Sequence, residues 1–184
     1  MVPALSLWLP ILLSAGVVFI LSSLVHMLLK YHCKDYGKFP SEDELMADLR
    51  KYELEPGEYY MPYIKDMKER ETPEYKEKLA NGPVGFVTIT SSDLEMGKSL
   101  AQWFVYCLLV GLFTAYLAGL AMGPGATFME VFRFSGAASF GLYSLALVQN
   151  SIWYKRSWAT TGRYLLDGFI YALGTAAVFG WLWP

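Results

Sequence analysis

The sequence predicts an all-α integral membrane protein with four transmembrane helices and a cytoplasmic, mainly helical insertion between the first helix and the second. Three observations support this fold class. Hydrophobic residues make up 54% of the 184 residues, which exceeds the share in a typical soluble domain. The charged residues are concentrated in one block. The rest of the chain contains four apolar stretches of about 20 residues, long enough for a helix to cross a hydrocarbon core of roughly 30 Å.

The charged block extends from Lys30 to Lys98 and contains 11 Lys or Arg and 15 Asp or Glu residues. We interpret each apolar stretch as a transmembrane helix, because a helix satisfies its own backbone hydrogen-bonding groups in lipid. The chain thus divides into a first segment 1–29, an insertion 30–99 and a three-helix segment 100–184. The four predicted spans are Leu7 to Leu29, Leu100 to Met122, Val131 to Ile152 and Tyr164 to Trp183.

The tryptophans support the same four spans, because tryptophan prefers the headgroup level of a bilayer. Each of the six lies at or just beyond a predicted helix end: Trp8, Trp103, Trp153, Trp158, Trp181 and Trp183. The first span has no Lys or Arg before it and no small-residue cleavage pattern after it. We therefore expect it to remain as a span and not to be a signal peptide.

The cations near the span ends predict the orientation. The segment after the first span and the link between the third and fourth spans are basic, whereas residues 1–6 and the link 123–126 carry no cationic side chain. We expect both termini in the periplasm and the insertion in the cytoplasm. The cations that set this orientation are Lys30, Lys34, Lys38, Lys98, Lys155, Arg156 and Arg163.

Two short helices are predicted within the insertion. Ser41 stands three residues before Glu44, a capping-box pattern that predicts an amphipathic helix over about Glu42 to Glu53. Thr72 followed by Pro73 is typical of a second helix start, and Asn81-Gly82-Pro83 ends that helix.

Extended structure is predicted in one part of the insertion. Val84 to Thr90 has the pattern of a β-strand, whereas the aromatic stretch 59–63 has little support as a helix. No convincing partner strand is visible in the sequence. A lone extended segment is therefore an equal alternative to a paired strand.

Small residues recur at every fourth position in the second and fourth spans. Such ladders let helices approach closely in lipid, where packing drives association. We expect them to pack inside the bundle, with a homodimer interface as the alternative. The two ladders are Gly111, Ala115 and Gly119 in the second span, and Gly168, Ala172, Ala176 and Gly180 in the fourth.

Asp167 is the one acid predicted well inside a span, where an ionisable group is costly unless it is paired or hydrated. Two partners are considered for it: Arg163, one turn earlier on the same helix, and His26, at nearly the same depth in the first helix. We favour a structural polar tie over a proton relay or ligand site. Other polar residues near this depth are Gln149, Asn150 and Tyr171.

The sequence gives little support for metal, cofactor or enzyme chemistry. His26, His32, Cys33 and Cys107 match no zinc-site spacing, and no P-loop, dinucleotide fingerprint or nucleophile elbow occurs. We therefore expect no metal and no cofactor. The net charge of −2 provides no basic excess for binding nucleic acid.

The carboxy-terminal half contains Ser151-Ile152-Trp153, Trp158, the run 166–171 with its Asp-Gly step, and Gly180-Trp181-Leu182. In these motifs it resembles a bacterial four-helix inner-membrane family whose domain has no assigned function. The similarity covers the four spans and not the block from Tyr31 to Ser99. The resemblance implies a bacterial inner-membrane setting and draws attention to Asp167.

Two functions lead at this point, with an intramembrane enzyme as the third. The first is an accessory or assembly subunit that contacts the lipid bilayer, other membrane subunits or a second copy of itself. The alternative is a small oligomeric transporter or channel that uses Asp167 and His26. A transport path requires polar side chains along one helix face, whereas the sequence predicts that they cluster at the cytoplasmic span ends, which favours the accessory role.

Overall fold

The computed structural model describes residues 1–92 and 95–184. Most of the chain is helical, and two short strands lie between the second and fourth helices. In chain order the elements are α1 (Trp8–Leu28), α2 (Glu42–Arg50), β1 (Gly57–Met61), α3 (Pro73–Asn81), β2 (Gly85–Ile89), α4 (Met96–Ala121), α5 (Phe128–Tyr143), α6 (Val148–Trp153) and α7 (Trp158–Trp181).

Four helical segments of the described chain are long and apolar enough to cross a membrane: Ala4–Leu28, Met96–Ala121, Phe128–Trp153 and Trp158–Trp181. This confirms the predicted number of long apolar helical segments. The fourth begins six residues before Tyr164, the predicted start. Asp167 therefore lies nine residues into its helix, roughly 13 Å along the axis, and not one turn from the end as the sequence suggested.

The long helices pack in a closed arrangement within one compact unit, which comprises Met1–Gly37 and Glu95–Pro184. Helix α1 packs against α4 and α7, and α5 packs against α7 and α4. The core consists of two clusters. One contains Val18, Cys107 and Tyr171, and the other contains Leu7 and Phe179. Helix α7 contacts both α1 and α5, and it carries the buried Asp167.

The third span is not the continuous helix that the sequence predicted. Helix α5 ends at Tyr143, a 3-10 turn follows over Leu145–Leu147, and α6 completes the span. Ser144 marks the break with φ −132° and ψ −42°. The Tyr106 hydroxyl donates to the carbonyl oxygen of Leu142 at 2.8 Å, beside the break, where backbone groups need partners in a membrane.

The small residues of the two ladders face other parts of the same chain. A Cβ at Gly119 would overlap the carbonyl oxygen of Val2, and a Cβ at Gly111 would lie 3.3 Å from that of Ile11. The remaining ladder residues are buried or lie against α5 and the turn after it: Ala115, Gly168, Ala172, Ala176 and Gly180.

One tryptophan departs from the predicted pattern. Since α4 begins at Met96, Trp103 lies about two turns into the helix and not at its end. Its indole Nε1–H donates to Ser22 Oγ at 2.9 Å, and its ring packs against Tyr143 and Tyr171. The other five lie at or just beyond helix ends, as predicted.

The second compact unit begins at Lys38 and is not purely helical. Strand β1 pairs antiparallel with β2, and Tyr60 lies opposite Phe86 with ring centroids 4.7 Å apart. The prediction of a strand near 84–90 is confirmed, and of the two alternatives left open by the sequence the paired strand is the one that forms. The partner strand consists of the five residues between Pro56 and Pro62. This run is too short for an alternation of apolar and polar residues to identify it as a strand.

Both predicted helices of this unit form, and one of them ends earlier than predicted. Helix α3 matches its prediction, because Thr72 Oγ1 accepts from the Tyr75 N–H. Helix α2 ends at Arg50, three residues before the predicted end, and Ser41 makes no side-chain capping bond. The first turn of α2 carries three acids, which the helix dipole favours at an N-terminus.

We predict that Gly168→Ala destabilises the bundle. The added Cβ would overlap Ser144 Oγ and lie 2.9 Å from Ser144 Cβ, so α5 and α7 would have to separate. Gly162→Ala, on the same helix, is the matched control, because nothing lies within 4 Å of its Cβ. It should be neutral or stabilising by up to about 1 kcal/mol. Thermal unfolding in detergent measures both, and equal Tm values would contradict the packing described.

Candidate functional site

A cluster of buried and partly buried polar side chains lies where α1 ends against α7. Leu29 leaves the helix with φ −90° and ψ 106°, and a 3-10 turn follows over Lys30–Lys34. This turn packs on α7. It places two side chains beside the buried acid of α7: those of Tyr31 and His32.

Asp167 is held by two donors from this turn. Its side chain is 2% exposed, and one carboxylate oxygen, Oδ1, accepts from the Tyr31 hydroxyl. The other, Oδ2, faces His32 Nε2 at 2.8 Å. Burial and the bond to Asp167 raise the pKa of Tyr31, so its hydroxyl keeps the proton that it donates.

Asp35 holds the opposite side of the same imidazole. Its carboxylate Oδ2 lies 2.6 Å from His32 Nδ1, and Oδ1 accepts from Arg163 Nε at 2.6 Å. The Arg163 Nη2 atom lies at the same 2.6 Å from Oδ1. Burial opposes ionisation of Asp35, but the bonds from His32 and Arg163 outweigh it, so its pKa is lowered.

These contacts form one chain of bonds, which we call the terminal network: Tyr31, Asp167, His32, Asp35 and Arg163. One imidazole bridges two carboxylates, and one guanidinium completes the set. Ionised carboxylates only accept, so each nitrogen–oxygen contact of this imidazole needs a proton between its two atoms. The network connects the turn after α1 to α7 through two residues of α7, Arg163 and Asp167, which are four positions apart.

His26 lies next to the network. It occupies the last turn of α1, its side chain is exposed, and its ring centroid is 4.6 Å from that of His32. One potential ligand atom from each of His26, His32 and Asp167 forms a set within 4.8 Å of one another. Among the described residues, His26 makes a ring contact and no side-chain hydrogen bond.

Neither partner considered for Asp167 from the sequence hydrogen-bonds to it. Arg163 pairs with Asp35, and its Nη2 also donates to Thr160 Oγ1 at 3.2 Å. His26 is close to Asp167 but contacts His32. The physical reason is that the turn after α1 brings Tyr31 and His32 nearer to Asp167 than either expected partner.

The other polar candidates lie outside the terminal network. Gln149 is exposed. Asn150 lines a cavity of about 90 Å³ with Arg156 and Tyr164, and the Arg156 guanidinium lies 4.8 Å from the Tyr164 ring centre. Tyr171 follows Asp167 by one turn and is buried in the core.

Sequence reasoning missed Tyr31 and Asp35 and gave His32 no partner. These residues follow the last apolar residue of the first stretch, so they were assigned to the charged insertion. A signal was available in the spacing: His32 and Asp35 are three apart, and Arg163 and Asp167 are four apart, so each pair shares a helical face.

Polar side chains also recur deeper in the bundle, contrary to the expectation that they group at the span ends. Tyr171 and Thr175 follow Asp167 at successive turns of α7, and both are buried. Their hydroxyls, like that of Thr114, make no hydrogen bond that meets normal geometry among the described residues, although Thr175 lies close to the Tyr143 hydroxyl. Hydroxyl residues are easily overlooked in an apolar stretch because each is only mildly polar.

Comparison with protein-family models, with curated proteins and with solved structures finds no match for this chain. The resemblance to a bacterial inner-membrane family therefore stays a prediction.

We predict that Arg163→Ala destabilises the protein and that Asp35→Asn partly rescues it. Removal of the guanidinium leaves the Asp35 carboxylate, whose side chain is 2% exposed, without this counter-charge, which costs on the order of 1 to 3 kcal/mol for a partly buried pair. The double variant carries no uncompensated carboxylate at position 35. Thermal unfolding of both single variants and the double variant gives the coupling energy.

The control for this cycle is Arg133→Ala, because Arg133 is an exposed arginine in another span. It should leave Tm nearly unchanged. If the effects of Arg163→Ala and Asp35→Asn simply add, the two residues are not coupled, and the terminal network is not the unit described here.

Proposed function

We propose that this chain is a non-enzymatic accessory or assembly subunit of the bacterial inner membrane that associates with other membrane proteins through its helices. The observation that carries the proposal is the internal pairing of the terminal network. Ionisable residues inside a membrane usually mark a transport path or a catalytic site. Here each charged member binds another member of the same chain, as a structural tie requires.

The large apolar side chains on the outer surface of the bundle support association with a partner protein. The small-residue ladders face other parts of this chain, so they are used before any partner binds. Helix α4 instead exposes a row of large apolar and aromatic residues. A partner helix or lipid would contact that row, which comprises Val105, Leu109, Leu112, Phe113, Tyr116 and Leu120.

The orientation and membrane setting are part of the same proposal. The positive-inside bias supports a cytoplasmic insertion and periplasmic termini. Lys30 and Lys34 lie in the turn that follows α1, and Lys155 and Arg156 lie between α6 and α7, so the cations are near span ends in the structure as well.

Substitution of Asp167 tests the structural tie. Asp167→Asn can keep both contacts, since its amide oxygen accepts from Tyr31 and its amide N–H can donate to a neutral His32. Asp167→Leu can make neither. We expect Asn to retain most of the Tm and the set of proteins that copurify in mild detergent, whereas Leu loses both. Leu166→Ala, at an exposed position, is the control.

Loss of the copurifying proteins from the Asn variant, with its Tm intact, would contradict a purely structural role for Asp167. If the wild-type chain purifies as a single species without any partner, the accessory role itself is wrong.

The buried hydroxyls favour transport as a second candidate. Tyr171 and Thr175 extend the polar face of α7 beyond Asp167 toward the bundle interior. A proton or ion pathway predicts that Asp167→Asn folds and assembles normally but abolishes flux in reconstituted vesicles. A structural tie predicts no flux attributable to the wild-type protein.

Cysteine accessibility tests the orientation. In a variant lacking Cys33 and Cys107, a single cysteine is placed at position 77 in helix α3. We expect a membrane-impermeant maleimide to label it in inside-out vesicles and not in intact cells whose outer membrane has been permeabilised. A cysteine at position 124, in the link after α4, is the control and should label in the opposite pattern. Labelling of position 77 from the periplasmic side would reverse the topology.

A further inference from the structure

We propose that His26, His32 and Asp167 bind a divalent transition-metal ion at the end of the bundle where α1 meets α7. The proposal goes beyond the accessory role, because an ion can bind here whether or not a partner protein is present.

Three potential ligand atoms already converge. His32 Nε2 and Asp167 Oδ2 are 2.8 Å apart, and one ring nitrogen of His26 completes a set within 4.8 Å. Ligands of one tetrahedral ion lie about 3.3 Å apart when each bond is about 2.0 Å. The pair at 2.8 Å must therefore widen slightly, and the ring of His26 must approach by up to about 1.5 Å.

The side chain that must move is the one free to do so. His26 is exposed and makes no hydrogen bond among the described residues, so rotation of its side chain breaks only its ring contact with His32. The exposed His26 side chain lies close to Asp167, whose own side chain is 2% exposed.

The other two ligands are already oriented by outer contacts. Asp35 holds His32 Nδ1 at 2.6 Å, which directs Nε2 toward Asp167, and Tyr31 holds the second oxygen of Asp167. Metal-bound histidines commonly donate their other nitrogen to a carboxylate in this way. Arg163 in turn holds Asp35. An ion would occupy the place of the proton between His32 Nε2 and Asp167.

The donor set selects the class of ion. Two imidazole nitrogens and one carboxylate oxygen suit Zn²⁺, Fe²⁺, Co²⁺ or Ni²⁺, whereas Mg²⁺ and Ca²⁺ prefer oxygen ligands throughout. Three protein ligands leave at least one coordination position for water or a small ligand. The ion would fasten the turn after α1 to α7 through bonds to both.

Cobalt binding tests the proposal. The full chain, purified with a tag that contains no histidine and treated with chelator, is titrated with Co²⁺ and followed by its visible absorption. We expect one Co²⁺ per chain, displacement by Zn²⁺, and no competition from Mg²⁺. Zn²⁺ should also raise the Tm, because an ion that binds only the folded state stabilises it.

Three variants locate the site. His26→Ala should weaken Co²⁺ binding by at least about tenfold and abolish the Tm increase with Zn²⁺. Asp35→Asn, a positioning residue, should weaken binding by about 10- to 100-fold and alter the cobalt spectrum. Met27→Ala, at the neighbouring exposed position of α1, should bind like the wild type. The fold is expected to survive in His26→Ala because that side chain has no hydrogen bond to lose.

Several results would overturn the proposal. They are a wild-type chain that binds no Co²⁺, a His26→Ala variant that binds Co²⁺ like the wild type, and loss of binding in Cys33→Ser, which would identify a thiol site. None of these bears on whether other proteins copurify, so failure of the metal site and failure of the accessory role are distinguishable.

Discussion

The structure depends on the compensation of one buried carboxylate. Asp167 lies well inside α7, where water cannot solvate it, so the chain must supply donors. They come from the turn directly after α1, through Tyr31 and His32. This requirement fixes how α1 ends, because a straight continuation of the helix beyond Leu28 would not bring both side chains to α7. Burial of Asp35 under Arg163 follows from it, since His32 is fixed from two sides.

Two adjacent residues of α7 impose opposite demands on their neighbours. Asp167 needs polar groups from the α1 side, and Gly168 needs the absence of a side chain on the α5 side, where Ser144 approaches. The helix can meet both demands because consecutive residues of a helix point about 100° apart. The Asp-Gly step thus places the polar tie and the closest helix contact at the same depth. The break in the third span at Ser144 lies at this level as well.

The sequence was sufficient for features set by length and composition, and insufficient for those set by contacts between distant segments. Four apolar stretches predicted four spans, because a bilayer imposes a length on any helix that crosses it. The pairing of His32 with Asp167 joins residues 135 positions apart, and no local pattern encodes it. Trp103 shows the same limit: its position suggested a membrane interface, but Ser22 provides a partner inside the bundle. The strand Gly57–Met61 was missed because only its pairing with Gly85–Ile89 makes it recognisable.

The chain leaves the bundle after α1 and returns to it at α4, and these two helices are neighbours. Helix α1 packs on α4, and the Trp103 indole bonds to Ser22 near the end of α1 from which the chain departs. The bundle therefore closes this loop with its own contacts, and the cost in chain entropy of making the loop longer rises only slowly with length. A unit attached in this way can change in size or be replaced without altering the register of the four spans. The helix bundle and the second unit can consequently change in sequence and size independently of each other.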